Sequence, residues 1–145
     1  MYDPSTNFLN VHEWAYGLTE IAHILSLAVG IGLIAFVDLR LLGFGLVGAT
    51  PARLMRAPTL GSLIGLVVAV TTGLMILSTD PIRYFRHPAM RLKLILLVVA
   101  LVFNYTVHGR AARGGYSPLL GRRVAAMSLL LWVTVVFSGI FYAFT

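Results

Sequence analysis

The residues of this chain whose types could do chemistry in apolar surroundings are a histidine, a glutamate, a methionine and a lysine. His23 lies inside an apolar stretch from Leu18 to Val37, with Glu20 one helical turn before it. Ionisable groups are expensive in hydrocarbon, so they face a bundle interior or mark a binding site. Three chemistries suit His23. It can take an axial position on a haem iron. It can be a packed polar residue satisfied locally, with Glu20 and Lys93 forming a buried ion pair. It can join a mononuclear copper or zinc site drawn from His12, Glu13, Glu20, His23 and His87. Glu20-x-x-His23 is half of a di-iron motif, but such sites need two copies and further carboxylates. The chain has one copy, so di-iron is set aside.

Depth selects the partners. An α-helix rises ~1.5 Å per residue, which puts His23 ~7 Å and Lys93 ~4 Å below the outer hydrocarbon boundary. Glu20 lies between that boundary and His23, and Met75 falls near the same level. Glu20, His23, Met75 and Lys93 therefore form one expected layer. His108 lies ~20 Å from the level of His23, too far for both to hold one haem iron. It reads as an interfacial residue, and Asn104 beside it as an interhelical hydrogen-bonding group.

The elements that position these residues are apolar helices. The chain has 145 residues, 59% hydrophobic and 11% charged, with mean hydropathy +0.90. Soluble domains carry about 25% charged residues, so this is an integral membrane protein with the lipid bilayer as its main partner. The expected fold is all-α, one domain, a transmembrane four-helix bundle with spans near 18–38, 58–78, 90–109 and 124–144. The chain has no cysteine, which excludes disulfides, thiolate metal sites and iron–sulfur clusters. Residues 1–10 contain Asp3 and neither Lys nor Arg, unlike a secretory signal.

The net charge of +6 does not indicate nucleic-acid binding, because the basic residues sit at the ends of apolar runs. Arg40, Arg53, Arg56, Arg110, Arg113, Arg122 and Arg123 flank the first and third connections. Arg83, Arg86, Arg91 and Lys93 surround the second. The positive-inside rule then places both termini outside the membrane.

Two polar stripes face inward. Helix one carries Glu13, Tyr16, Glu20, His23, Leu27 and Gly30 at spacings of three and four and is expected to start near Val11. Helix three carries Lys93, Leu97, Ala100, Asn104 and His108. Thr50 and Pro51 read as loop, and Pro58 as the first turn of helix two. Helix two presents Gly61, Gly65, Ala69 and Gly73 every fourth residue, which admits either a neighbouring backbone or a flat ligand. Helix four has no ionisable residue and reads as a packing helix.

Five runs carry a resemblance: Glu20-Ile-Ala-His23-Ile-Leu, Asp38-Leu-Arg40-Leu-Leu-Gly43, Thr72-Gly73-Leu-Met-Ile-Leu77, Met90-Arg-Leu-Lys93-Leu-Ile-Leu-Leu and Tyr105-Thr-Val-His108-Gly-Arg110. The chain resembles a group of small bacterial four-helix membrane proteins. The group includes HemJ-type protoporphyrinogen oxidases, CopD-type copper-resistance membrane domains and uncharacterised families. The resemblance implies a multi-pass protein of the bacterial inner (cytoplasmic) membrane. From the HemJ-type members it implies roles for His23 and Lys93 in haem b binding and activity. The leading expectation is a haem b protein of electron transfer, working with quinone or a periplasmic partner. His23 is the axial ligand, Met75 or Lys93 lies across or beside the ring, and Gly65, Ala69 and Gly73 form a flat wall. Arg83, Arg86 and Arg91 meet the propionates. The alternatives are an accessory subunit of a larger membrane complex or a homo-oligomer, a porphyrinogen oxidase, and a copper-handling protein.

Overall fold

Apolar runs in hydrocarbon must satisfy their backbone hydrogen bonds internally, and a helix does so within one segment. The computed structural model describes residues 3–44 and 51–144, with the backbone alone for 51–57 and 143. The four runs are four long helices, each long and apolar enough to cross a membrane. Helix one is Glu13–Leu42, helix two Pro51–Leu77, helix three Pro88–Ala112 and helix four Pro118–Phe144. There is no strand among the described residues, and the protein is an all-α four-helix bundle. A short helix, Pro81–Arg86, links helices two and three.

Three boundaries differ from the sequence reading. Helix one does not continue smoothly to Val11. His12 is extended (φ −120°, ψ 97°) and separates it from a one-turn helix, Phe8–Val11. The break folds the N-terminal segment over the end of helix two. There Asn7 Nδ2 donates to the Ser78 carbonyl at 3.0 Å and Asn10 Nδ2 to the Thr79 carbonyl at 2.9 Å. Carbonyls past a helix C-terminus lack intrahelical partners, and these two amides supply them. Helix two starts at Pro51, and Pro58 lies inside it; Pro51 takes the first-turn role that proline suits. Thr50 lies outside the described residues. Helix four starts more than a turn before Val124, at Pro118, where the Ser117 carbonyl accepts from the Gly121 N–H.

Neighbouring helices run antiparallel. Helix one packs along helices two and four, and helix four packs along helix three. Helices two and three do not pack along each other over the described residues. The tightest approach is between helices one and two. A Cβ on Gly65 would stand 2.8 Å from the Gly30 nitrogen, and one on Gly30 3.1 Å from the Leu66 nitrogen. The small-residue face of helix two is therefore filled by helix one, through its backbone at Gly65 and through the Leu33 and His23 side chains at Gly61 and Gly73. Mid-height, Ile34, Leu66, Ala100, Trp132 and Val135 bring all four helices into one core. The outward faces are apolar: Leu25 is 61%, Leu74 58%, Ile95 62% and Leu130 62% exposed. Such a surface needs hydrocarbon as its solvent.

At the end that holds both termini, Tyr84 is buried, its ring 5.2 Å from that of Tyr142. Burial, with the Tyr16 hydroxyl beside it, pushes the Tyr84 hydroxyl up to about 12. Between about pH 10 and 12 the folded protein holds this proton while the unfolded chain has lost it, so stability falls as pH rises through that window. Unfolding midpoints in detergent across this range will fall more steeply for wild type than for Tyr84→Phe. Gly65→Ala forces two backbones apart, at a cost of about 1–3 kcal/mol. Gly32→Ala, where an added Cβ meets nothing within 4 Å, will be neutral or stabilising by up to about 1 kcal/mol. Denaturant titration of the two variants in one detergent checks the contrast.

Candidate functional site

The close approach of helices one and two decides how His23 is held. Its Nδ1 lies 2.8 Å from the Ala69 carbonyl and 3.2 Å from Thr72 Oγ1. A carbonyl only accepts, so Nδ1 carries the hydrogen and Nε2 presents its lone pair. Nε2 has no hydrogen-bond partner among the described residues. The ring fits because position 73 is glycine: a Cβ there would stand 2.9 Å from His23 Cε1. Helix two thus supplies both the acceptor that fixes the tautomer and the space for the ring.

Lys93 approaches from helix three. Its stem crosses the face of helix four at Gly139, where a Cβ would lie 3.1 Å from Nζ. Lys93 and Glu20 are both close enough to act electrostatically on the His23 ring. The Glu20–Lys93 ion pair considered from sequence does not form. Glu20 is exposed, and Lys93 has no carboxylate within ion-pair distance among the described residues. An unneutralised amine and a lone-pair imidazole nitrogen therefore sit together at one end of the bundle.

The other expected members of this layer fall elsewhere. Met75 is 44% exposed. It lies about half a turn around helix two from Gly73, facing away from helix one. Gly65, Ala69 and Gly73 line the seam with helix one and offer no free wall to a flat ligand; Ala69 contributes its carbonyl instead. Arg83, Arg86 and Arg91 are exposed around the connection above Lys93. No three His, Cys, Asp or Glu side chains gather around a common metal position among the described residues, so the copper or zinc set of His12, Glu13, Glu20, His23 and His87 is not assembled.

A second polar site lies at the opposite end. Asp38, on helix one, is fully buried, and its Oδ1 lies 2.7 Å from Nε2 of buried His108 on helix three. The sequence reading made His108 an interfacial residue at the end of the inward stripe of helix three; the structure buries it and joins it to Asp38. Helix three widens into a π-turn at Asn104–His108, a rare feature often found at functional positions. Asn104, at the start of that turn, and Ser128 on helix four are buried as well. Asp38 Oδ2, Asn104 Oδ1 and Ser128 Oγ have no hydrogen-bond partner among the described residues. Equal depth of Asp38 and His108 at the ends of their spans was the sequence signal for this pair.

No family model matches this chain, and no curated protein or solved structure matches it either.

Removing one member of a buried pair strands the other, at about 3–5 kcal/mol, whereas replacing both with apolar residues is near neutral or better. His108→Leu will therefore be destabilised by about that amount. The double variant Asp38→Leu/His108→Leu will be more stable than either single variant. Unfolding of all four proteins in detergent provides the cycle.

Proposed function

We propose that this protein binds b-type haem near the end that carries its termini, with His23 Nε2 as axial ligand, and that it transfers electrons. The observation that carries this reading is the 2.8 Å bond from His23 Nδ1 to the Ala69 carbonyl. Metal-ligating histidines characteristically donate their other ring N–H to a carbonyl or carboxylate, which fixes the tautomer and raises ligand basicity. The donor set suits haem, which asks one or two axial groups of the protein rather than a cluster of three.

Each residue has a task in this reading. His23 binds the iron, Ala69 and Thr72 orient the ring, and Gly73 leaves it room. Lys93 is better placed than Met75 for the other face or edge of the macrocycle. Its amine, unneutralised within the bundle, favours an anionic group beside it. Arg83, Arg86 and Arg91 are available to propionate oxygens. The bound haem supplies one-electron chemistry, and the apolar surroundings and nearby charge set its potential. Quinone, or a redox partner on the side of the termini, is the proposed electron exchanger, in a bacterial inner membrane. The proximity of His23 and Lys93 favours a second reading, a porphyrinogen oxidase of the HemJ type. Rescue of a strain lacking that activity tests it.

Wild type purified from haem-replete cells will show a Soret band. His23→Ala will lose it. Gly73→Ala, which displaces the ring, will weaken haem retention by about 10–100-fold, as loss of a group that orients a ligand does. A colourless wild type sinks the proposal; recovery of that colourless protein with other membrane subunits supports the accessory-subunit role instead.

A further inference from the structure

The acidic residues of this chain are unevenly placed. Asp3, Glu13, Glu20 and Asp80 lie toward the end with the termini. Asp38 alone lies toward the opposite end, and it is buried against His108. That end nevertheless carries Arg40, Arg110, Arg113, Arg122 and Arg123 among the described residues. Among the described residues, no carboxylate is within ion-pair distance of Arg110 or Arg113. Their guanidinium groups are exposed and open to an anion from outside the chain.

The surface there is concave. A cavity of about 370 Å³ opens beside the end of helix three, lined by Tyr105, Thr106, Arg110, Arg113 and Tyr116 among others. Two backbone features shape it. The π-turn at Asn104–His108 widens the helix where Tyr105 and Thr106 face outward. Gly114, at φ +79°, then reverses the chain, and the Gly115 N–H bonds to the Arg110 carbonyl at 2.9 Å. The reversal brings Tyr116 back beside the two arginines. Thr106 Oγ1 donates to the Val102 carbonyl, so the donors free for a ligand are the guanidinium groups and the tyrosine hydroxyls.

The cavity also has an apolar approach. Ile95, Val98 and Val102 are 62%, 60% and 59% exposed, at helical spacing, and lead along helix three to Tyr105. The span ends at Ala112, so Arg110 and Arg113 lie at its edge while Tyr105 and the apolar strip lie within it. We infer that this cavity binds the headgroup of an anionic phospholipid, with its phosphodiester on Arg110 and Arg113 and an acyl chain along Ile95, Val98 and Val102. Guanidinium groups pair well with phosphate oxygens, and basic residues at a span edge are attracted to anionic lipid. The apolar strip selects lipid over free phosphate. A zwitterionic headgroup is disfavoured, because its ammonium would lie beside two arginines with no carboxylate nearby among the described residues.

The full-length protein in vesicles of phosphatidylcholine, with or without phosphatidylglycerol, tests this. Wild type will unfold at a higher temperature with phosphatidylglycerol and will retain copies of it on transfer to detergent, read by native mass spectrometry. Arg110→Ala/Arg113→Ala will lower that retention roughly 30-fold, because each basic residue near an anionic lipid surface contributes about 1 kcal/mol. Arg110→Lys/Arg113→Lys keeps the charge and will retain more of the lipid than the alanine pair. It will retain less than wild type, since an ammonium lacks the paired N–H groups of guanidinium, and that comparison decides the case if the alanine variant fails to fold. Arg123→Ala, exposed at the same end but outside the cavity, will match wild type. Equal behaviour in the two vesicle types, or undiminished retention in both Arg110/Arg113 variants, overturns the inference. So does inorganic phosphate reproducing the stabilisation in phosphatidylcholine alone, which would make the site one for free phosphate.

Discussion

The contact between Gly30 and Gly65 is the constraint on which the rest of this structure depends. In lipid there is no hydrophobic drive to press helices together, so close van der Waals approach and interhelical hydrogen bonds must do it. Gly30 and Gly65 bring two backbones to a separation that excludes any Cβ between them. The same seam, followed toward the termini, is what lets His23 reach a carbonyl on helix two. A peptide carbonyl inside a helix already accepts from its own ladder. The imidazole reaches its second lone pair only because Gly73 leaves the ring room. The glycine-rich face thus serves the site by holding a histidine rather than by walling a flat ring.

At the other end the tie is electrostatic rather than steric. Asp38 and His108 join helices one and three, which scarcely touch through their backbones. His108 Nε2 and Asp38 Oδ1 satisfy each other where water cannot reach them, while Asp38 Oδ2 has no partner among the described residues. The π-turn that places His108 also turns Tyr105 and Thr106 outward. One irregularity in helix three therefore serves an internal tie and a surface cavity together.

Much of the fold was legible because hydrocarbon permits few solutions. Length and hydropathy fixed four spans and their order, and the inward stripe Ala100, Asn104 and His108 on helix three is buried as its spacing required. The layer of His23, Lys93 and Glu20 followed from rise per residue alone. Met75 did not belong to it. Depth gives height along a helix but not azimuth, and Met75 is turned away from the seam. Boundaries such as Pro51 and Pro118 were missed because a polar or basic first turn beyond the hydrocarbon leaves no trace in hydropathy.

The sequence by itself determined that the chain crosses a membrane four times, that its basic residues gather at the span ends, and that His23 and Lys93 share a level. Each follows from composition or from counting along a helix, which needs no knowledge of neighbours. Tertiary structure decided which nitrogen of His23 is engaged, that Glu20 leaves Lys93 unpaired, and that Asp38 and His108 meet. Those outcomes depend on how helices are rotated about their axes and how near they come. Rotation and approach are set by contacts between residues distant in sequence, such as Gly30 with Gly65, and no local pattern encodes them.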